Sequence, residues 1–277
     1  MMKKIVVIAF ALFFMSRLSN AAFAAGMARP FGMGGAFIAV SDDVNGIFTN
    51  PAGFCYGKGQ ELGVYYSGLS DGAAAGIGYR YTFGDSSALG VAVLRNVFSS
   101  FYYGYQDRFA YLAYSQKIIS NLSFGINLKG EQLKLDPPST LEGTGYSSDI
   151  GLLYKPSDWF SVGLVFENAW KTDLQCNNDQ EIVIDKYIKA GLAWKPLGES
   201  MIVAADLSRV SDLLVYDLGI EGKVTDSLYL RGGTSGSSSE LSKRSLFAGI
   251  GYYFTQGIVL DLAVGSDTSI GSLSWLF

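Results

Sequence analysis

The sequence of 277 residues contains no histidine, two cysteines and six prolines. Without histidine the chain has no Ser-His-Asp triad and no imidazole ligand for a metal, which removes most hydrolase and metalloenzyme mechanisms. Charged residues are scarce, at 17%. After the N-terminus no apolar run reaches the length of about 18 residues that a membrane helix needs. The sequence therefore disfavours an enzyme and a helical membrane protein.

The sequence also lacks a metal motif, a phosphate-binding loop and a dinucleotide fingerprint, so we expect no cofactor. The net charge of −4 becomes more negative once the basic N-terminal residues are removed. Nucleic-acid binding relies on clustered Lys and Arg, so we expect no nucleic-acid partner. Cys55 and Cys176 either form one disulfide in an oxidising compartment or remain unpaired, with Cys55 buried.

Glycine and aromatic residues are abundant instead, with 34 Gly, 18 Phe, 17 Tyr and 4 Trp. The apolar fraction of 49% and the mean hydropathy of +0.22 argue against a disordered chain. The length allows one large domain or two small ones. The composition therefore indicates a folded protein that is rich in glycine and aromatic residues and has little charge.

The first 24 residues have the pattern of an export signal. Lys3 and Lys4 precede an apolar stretch from Ile5 to Met15, and Ala22-Phe23-Ala24 resembles a signal-peptidase site. The apolar stretch is too short to span a bilayer. We therefore predict that residues 1–24 are a cleaved signal peptide and that the mature protein is exported.

From Gly59 onward, apolar residues recur at every second position, as in residues 160–164 (FSVGL). This period is typical of strands that have one apolar face. Fourteen such segments are predicted to begin near Gln60, Ala74, Ala88, Arg108, Leu122, Thr144, Phe160, Lys186, Met201, Leu213, Leu228, Ser245, Ile258 and Ile270. Strands of about ten residues leave about six residues for each connection.

The alternation fits either a secreted sandwich, with its apolar residues inside, or a membrane barrel, whose apolar face meets lipid. Three features favour the barrel: charges of both signs on the polar face, aromatic residues at segment ends, and a final alternating strand that ends on Phe277. The charges expected inside are Arg80, Lys129, Asp149, Glu167, Lys189, Asp206 and Asp261. The aromatic residues expected at the membrane interfaces are Tyr154, Trp159, Trp194, Tyr252, Tyr253 and Phe254.

We therefore predict an all-β fold in which residues 59–277 form a transmembrane antiparallel β-barrel of about 14 strands in the bacterial outer membrane. The expected partners are outer-membrane lipid and the barrel assembly machinery, which reads a terminal aromatic residue such as Phe277. Inside the barrel, Asp149 and Glu167 are expected to form a salt-bridge lattice with Lys129 and Lys189 rather than a catalytic pair.

Residues 25–58 do not follow the strand pattern. Gly32–Val40 begins with closely spaced glycines and continues as a predicted short apolar strand. Ser41–Asp43 is expected to cap a helical turn that ends before Asn50-Pro51. A segment of about 33 residues cannot hold a core by itself. We predict that it folds into the barrel lumen as a hatch.

Two motifs in this segment, Gly32-Met33-Gly34-Gly35-Ala36-Phe37-Ile38-Ala39-Val40-Ser41-Asp42-Asp43 and Asn50-Pro51-Ala52-Gly53, resemble the N-terminal signature of the PorV/PorQ-like outer-membrane proteins. That family belongs with the wider FadL-type group of fatty-acid transport barrels. Residues 149–154, 160–168 and 204–207 resemble its successive strands, so that the resemblance extends over almost the whole mature chain. It implies a fourteen-stranded barrel with an N-terminal hatch.

The resemblance implies two different functions. FadL-type members pass hydrophobic molecules beyond the hatch and sideways through a gap beside the third strand, whereas PorV-like members serve type IX protein secretion. This chain is too short for the long external loops of FadL. We predict passive transport of a hydrophobic ligand. The alternatives are an accessory role in protein export, with a secretion-system partner, and a structural barrel without transport.

The hatch contains the candidate site residues. The candidates for contact with a hydrophobic ligand are Phe31, Phe37, Phe48 and Phe54, which otherwise pack the hatch against the wall. The residues expected to anchor the hatch are Gly34, Gly35, Asp42, Asp43, Asn50 and Pro51. In the third strand, Arg95-Asn96 interrupts the apolar alternation and marks either a bulge or wall gap, or the point at which the strand leaves the bilayer.

Overall fold

The computed structural model describes residues 28–69, 72–99, 104–136, 141–177, 181–210, 213–238, 244–254, 257–265 and 268–277. The predicted signal peptide, residues 1–24, lies outside these ranges. Within them, no helix combines the length and the apolar character needed to cross a membrane.

The described chain consists mostly of strands. In chain order they are β1 Gln60–Leu69, β2 Gly72–Phe83, β3 Ser87–Ser99, β4 Gly104–Ile119, β5 Leu122–Asp136, β6 Leu141–Ser157, β7 Phe160–Lys171, β8 Leu174–Cys176, β9 Glu181–Ile182, β10 Tyr187–Trp194, β11 Pro196–Glu199, β12 Met201–Val210, β13 Leu213–Lys223, β14 Leu228–Ser237, β15 Arg244–Tyr253, β16 Ile258–Val264 and β17 Thr268–Leu276.

These strands form one antiparallel sheet that closes on itself, because β1 pairs with β17 and β5 pairs with β6. The short strand β8 pairs with β6, and β9 pairs with β8. The short strand β11 lies in the connection between β10 and β12. The other fourteen strands form a closed barrel, which confirms the predicted fold class. The predicted starts agree closely with the observed ones, and the largest difference is at β4, which begins at Gly104 instead of Arg108.

Side chains alternate between the two faces of the wall, as the period of two requires. On β3, Leu89, Val91 and Val93 point outward and expose 45–52% of their surface, whereas Ala92 and Leu94 are buried inside. The charges predicted to lie inside form ion pairs or hydrogen bonds there. The exterior is thus apolar and the interior polar.

The two chain ends of the barrel meet at one rim. Gln60 and Phe277 exchange backbone hydrogen bonds of 2.8 and 3.0 Å. The Phe277 ring is 58% exposed and lies 6.2 Å from the ring of Trp275. Recognition of Phe277 by the assembly machinery stays a prediction.

Residues 28–58, called here the N-terminal segment, pack against the inner wall. The segment comprises helix α1 (Ala28–Gly32) and two 3₁₀ helices, Val44–Ile47 and Phe54–Tyr56. Asp43 caps the first 3₁₀ helix, and its side chain accepts a hydrogen bond from the Asn45 amide, as predicted for this turn. The predicted domain boundary between residues 58 and 59 stays a prediction.

The short strand predicted within Gly32–Val40 is wrong. The backbone forms a turn in which the Val40 amide donates to the Phe37 carbonyl at 3.1 Å. The amides of Phe37 and Ile38 donate to one carboxylate oxygen of Asp206 on β12, at 2.6 and 2.8 Å. A side chain of the wall therefore takes the bonds that a neighbouring strand would have accepted.

Candidate functional site

Arg29 joins three parts of the molecule. Its Nε and Nη2 donate to the two carboxylate oxygens of Glu221 on β13, at 2.9 and 2.8 Å. Its Nη1 donates to Asp42 and to Asp43, at 2.7 Å each. The guanidinium carbon also lies 5.1 Å from the centre of the Phe37 ring. We call Arg29, Asp42, Asp43 and Glu221 the Arg29 cluster, which links both halves of the N-terminal segment to the wall.

Arg29 and Asp42 stabilise each other's charged form. Burial by itself lowers the pKa of Arg29, but Asp42, Glu221 and Asp43 together raise it well above its usual value. Burial by itself raises the pKa of Asp42, yet Arg29 and then Lys155 bring it below its usual value. Because the folded-state pKa of Asp42 is lowered, the stability that this carboxylate contributes is lost only as the pH falls through that lowered pKa.

The wall extends the Arg29 cluster. Arg231 on β14 donates from Nε to Glu221 and from Nη1 to Asp261 on β16, at 2.6 Å in both cases. Glu221 thus lies between two guanidinium groups. These charges alternate in sign, so the buried carboxylates are compensated.

Asn50 forms hydrogen bonds both within the N-terminal segment and to the wall. Its side-chain amide is fully buried and donates to the carbonyls of Ile38, at 2.8 Å, and Leu152 on β6, at 3.2 Å. Its oxygen accepts a hydrogen bond from the Ala52 amide at 3.0 Å. The arrangement suits the predicted anchoring role of Asn50, which stays a prediction.

The backbone of the segment lies directly on glycines of the wall. A Cβ atom at Gly125 on β5 would overlap the carbonyl group of Pro51, and one at Gly219 on β13 would overlap Met33. Only glycine allows two backbones to approach this closely. The places where the segment meets the wall are therefore set by residues of the barrel as well as by its own.

Gly34 and Gly35 lie in a turn of the N-terminal segment that contacts β13 and β14. Both have positive φ angles, of 67° and 93°. A Cβ at Gly34 would lie 2.6 Å from the Thr234 amide, and one at Gly35 would lie 3.2 Å from the Asp217 carboxylate. The two glycines thus combine a left-handed backbone with a close contact to the wall.

Phe31, Phe37 and Phe54 pack within the segment or against the wall. Phe37 lies under Arg29 and Phe54 lies in an apolar cluster with the first 3₁₀ helix, and both are fully buried. Phe31 packs edge to face against Phe247 on β15, with ring centres 4.9 Å apart. These positions suit the alternative of packing the segment against the wall, and contact of the three rings with a ligand stays a prediction.

Phe48 contacts aromatic residues on two strands of the wall. Its ring meets Tyr65 on β1 and Tyr111 on β4 edge to face, with ring centres 6.1 and 5.3 Å apart. Phe109 lies 6.1 Å from Tyr111. Phe48, Phe109 and Tyr111 are only partly buried. We call Phe48, Tyr65, Phe109 and Tyr111 the aromatic patch.

Another part of the lumen wall, from β5 to β10, contains the predicted lattice of charges. Lys129 lies 2.7 Å from Asp149 and 3.9 Å from Glu167, and Lys189 pairs with Glu167. Lys129 also donates to Asn168 at 2.6 Å. Each charge has a partner of opposite sign, which confirms the prediction of a lattice.

Two cavities lie between the segment and the rim that carries the chain ends. The larger, of about 540 Å³, is lined by Val40, Tyr56 and Lys155 together with residues at the β4–β5, β6–β7 and β10–β12 connections. The smaller, of about 270 Å³, borders Arg29 and Glu61. The Arg29 cluster therefore lies at the edge of open space on this side of the segment.

The wall beside the third strand is continuous. Arg95 and Asn96 pair in register with β2 on one side and with β4 on the other, without a register shift. The bulge or wall gap considered for these two residues is wrong. The polar pair belongs to the part of the strand that approaches the opposite rim.

The two cysteines offer a test of where the segment lies. Both are unpaired, Cys55 is 1% exposed, and burial raises the pKa of its thiol. Cys176 on β8 is partly exposed. In the folded protein we expect a maleimide to modify Cys176 and to leave Cys55 intact, as measured by peptide mass spectrometry, whereas both react after denaturation. Equal reaction rates in the folded state would contradict the buried position of the second 3₁₀ helix.

Arg29 and its partner Glu221 were missed in the sequence. One signal was present, because Arg29 is the single basic residue between Arg17 and Lys58 and shares that stretch with Asp42-Asp43. Its wall partner could not be found in this way, since 192 positions separate the two residues.

No protein-family model matches the sequence, and the comparison with curated proteins finds no match. Several solved structures are similar in fold. The CymD monoaromatic hydrocarbon channel has a TM-score of 0.76 at 17% identity, covering 92% of this chain and 99% of that one. The Ralstonia pickettii toluene transporter TbuX has a TM-score of 0.73 at 12% identity, covering 94% and 99%.

A Pseudomonas aeruginosa FadL homologue has a TM-score of 0.69 at 12% identity, covering 92% of this chain and 99% of that one. At such identities the similarity concerns the fold, and it covers nearly the whole length of both chains. The chain therefore has the fold of these hydrocarbon-channel and FadL-type barrels.

Proposed function

We propose that the protein is an outer-membrane channel for the passive transport of hydrophobic small molecules, with the N-terminal segment as its hatch. The aromatic patch is the observation that carries the proposal. It presents partly uncovered rings beside the segment that occupies the lumen. Aromatic rings offer apolar contact area at a small cost in side-chain entropy.

The exterior of the barrel supports the membrane location. Large apolar side chains are exposed on strand after strand, and soluble proteins rarely expose a continuous apolar surface of this kind. Tyr154 and Trp194, near the ends of their strands, and Trp159, in the turn between β6 and β7, are 44–57% exposed at the level where an interfacial aromatic girdle lies. Outer-membrane barrels have short turns on the periplasmic side. We therefore assign the rim with the chain ends and short turns to the periplasm.

The fold comparisons support the choice of ligand class. Two of the similar structures are described as a monoaromatic hydrocarbon channel and a toluene transporter. An aromatic hydrocarbon would meet Phe48 and Tyr111 by edge-to-face or offset stacking. The paired charges of Lys129, Asp149 and Glu167 leave the aromatic patch as the apolar side of the lumen.

The hatch is held by contacts that can be exchanged for water. Ion pairs at Arg29 and hydrogen bonds at Asn50 and Asp206 join it to the wall, and neither cysteine is in a disulfide. Since β3 is continuous with its neighbours, the proposed route runs past the displaced segment into the cavity beside Lys155 and on to the periplasm.

Uptake by intact Gram-negative cells tests the proposal, because their lipopolysaccharide leaflet slows apolar solutes whereas plain phospholipid vesicles do not. Cells that lack their own hydrocarbon channel would express the protein, and the initial uptake of radiolabelled toluene would be measured. We expect wild type to accelerate uptake over cells with an empty vector. Phe48→Ala should lower the gain by about fivefold, the effect of losing about 1 kcal/mol of aromatic contact.

Deletion of residues 26–54 and Asn50→Ala test the hatch in the same assay. Both should admit small polar dyes that wild type excludes, because they remove the segment or its bonds to Ile38 and Leu152. Heat-modifiable gel mobility controls for folding. Wild-type barrels that are folded and abundant yet give no toluene uptake would overturn the proposal and turn attention to the accessory role in protein export.

A further inference from the structure

Two arginines face outward at directly opposite positions of β3 and β4. Arg95 pairs in register with Arg108, and both are exposed. Arg95 donates to Gln106 at 3.1 Å. Among the residues that the structure describes, neither guanidinium forms an ion pair; the carboxylate of the next row, Glu142, pairs with Lys134 at 3.4 Å. Like charges directly opposite each other are unfavourable unless an anion compensates them.

The row continues across the next two strands with further hydrogen-bond donors. Arg108 lies opposite Gln132 on β5, and Gln132 lies opposite Thr144 on β6. Gln132 and Thr144 are both exposed. We call Arg95, Arg108, Gln132 and Thr144 the donor row. It contains no carboxylate, although the chain as a whole has a net charge of −4.

An apolar groove lies beside the donor row, on the side of the rim that carries Gln60 and Phe277. The next outward positions on β2 to β6 are Ile77, Val93, Ala110, Gly130 and Tyr146, again in register. Ala110 and Gly130 have little or no side chain, and the Tyr146 ring comes within 3.8 Å of the place where a Cβ of Gly130 would be. The resulting groove has a volume of about 760 Å³.

The donor row marks the border of the apolar exterior at the rim opposite Gln60 and Phe277. Arg95 lies four residues before the end of β3 at Ser99, and Arg108 lies four residues after the start of β4 at Gly104. Outward-facing residues closer to the rim that carries the chain ends, such as Val93, are apolar. A charge on the lipid-facing surface costs least at this border, where headgroups begin. The rim concerned is the one opposite the chain ends.

We infer that the donor row and the groove bind a phosphorylated glycolipid of the outer leaflet, of the lipid A type. A phosphate between Arg95 and Arg108 accepts charge-assisted hydrogen bonds from both guanidinium groups, and an acyl chain fills the groove over Ala110 and Gly130. The inference rests on the outer-membrane location in the proposed function. It does not depend on whether the barrel transports a ligand.

Native mass spectrometry of the folded barrel in detergent measures this binding directly. The protein is titrated with diphosphorylated lipid A and with the same glycolipid after removal of its phosphates. We expect wild type to prefer the phosphorylated lipid by about tenfold or more, as charge-assisted bonds predict. The double variant Arg95→Gln, Arg108→Gln should lose this preference. Gly130→Leu, which fills the groove, should weaken the binding of both lipids.

Arg244→Gln is the matched control, because Arg244 is an exposed arginine at the same rim, on β15, away from the groove. It should keep the wild-type preference. An equal loss with Arg244→Gln, or no preference in wild type, would overturn the lipid site. Toluene uptake is measured on the same variants: failed uptake with an intact lipid preference refutes the proposed transport, and the reverse result refutes the lipid site.

Discussion

Replacing Arg29 with Ala is expected to release the N-terminal segment from the wall and to expose Cys55. The substitution leaves Glu221, Asp42 and Asp43 without their shared cation. Removal of one partner from a buried ion pair costs about 3–5 kcal/mol, because the remaining charge is uncompensated. If opening precedes modification, the reaction of Cys55 with a maleimide should accelerate by at least about a hundredfold.

The measurement uses a Cys176→Ser background, so that Cys55 is the single thiol. Arg29→Lys keeps the charge but loses the planar fork that bonds Glu221 twice, and it should give an intermediate rate. Lys223→Ala is the control, since this lysine pairs with the fully exposed Asp226 on a turn and should leave the rate unchanged. A wild-type rate in Arg29→Ala would show that the cluster does not hold the segment.

Gly125→Val is expected to displace the part of the segment around Asn50 and Pro51. The new side chain would overlap the Pro51 carbonyl, which is backbone and cannot move aside by a rotamer change. Overpacking of this kind typically costs about 1–3 kcal/mol, and more where the neighbour cannot yield. We expect faster modification of Cys55 and uptake of the polar dyes that wild type excludes, while the barrel strands remain folded.

Gly222→Val is the matched control for this effect. Gly222 also lies within a strand, on β13, but a Cβ there would meet nothing within 4 Å. It should leave Cys55 protected and the barrel closed to polar dyes. The same change in Cys55 reactivity for both variants would mean that valine acts through strand stability instead of through contact with Pro51.

The strands could be predicted because their signal is local. Alternation along β3 or β7 places apolar residues on one face whatever the rest of the chain does. The capped turn at Asp43 was equally local, since its acceptor and donor are two residues apart. The short strand predicted within Gly32–Val40 was wrong because the hydrogen bonds of that stretch are not local. At Phe37 and Ile38 the amides bond Asp206, which lies far away in sequence.

The donor row on the outer face of the wall also combines a local signal with a tertiary one. Arg95 could be seen in the sequence as an interruption of the alternation, but a bulge and a strand end explained it equally well. The register of β3 with β4 removed the bulge and placed Arg108 opposite Arg95. A one-residue change in that register would have put Arg108 on the other face of the wall.

The sequence by itself determined the all-β class, the approximate ends of the strands and which face of each strand is apolar, because each follows from neighbours along the chain. Only the tertiary structure decided which side chains meet. Closure through β1 and β17 brings strands of remote sequence positions around one lumen. Arg29 reaches Glu221, and Asn50 reaches Leu152, because the segment lies inside that closed wall. Such contacts depend on register and closure, which no local pattern specifies.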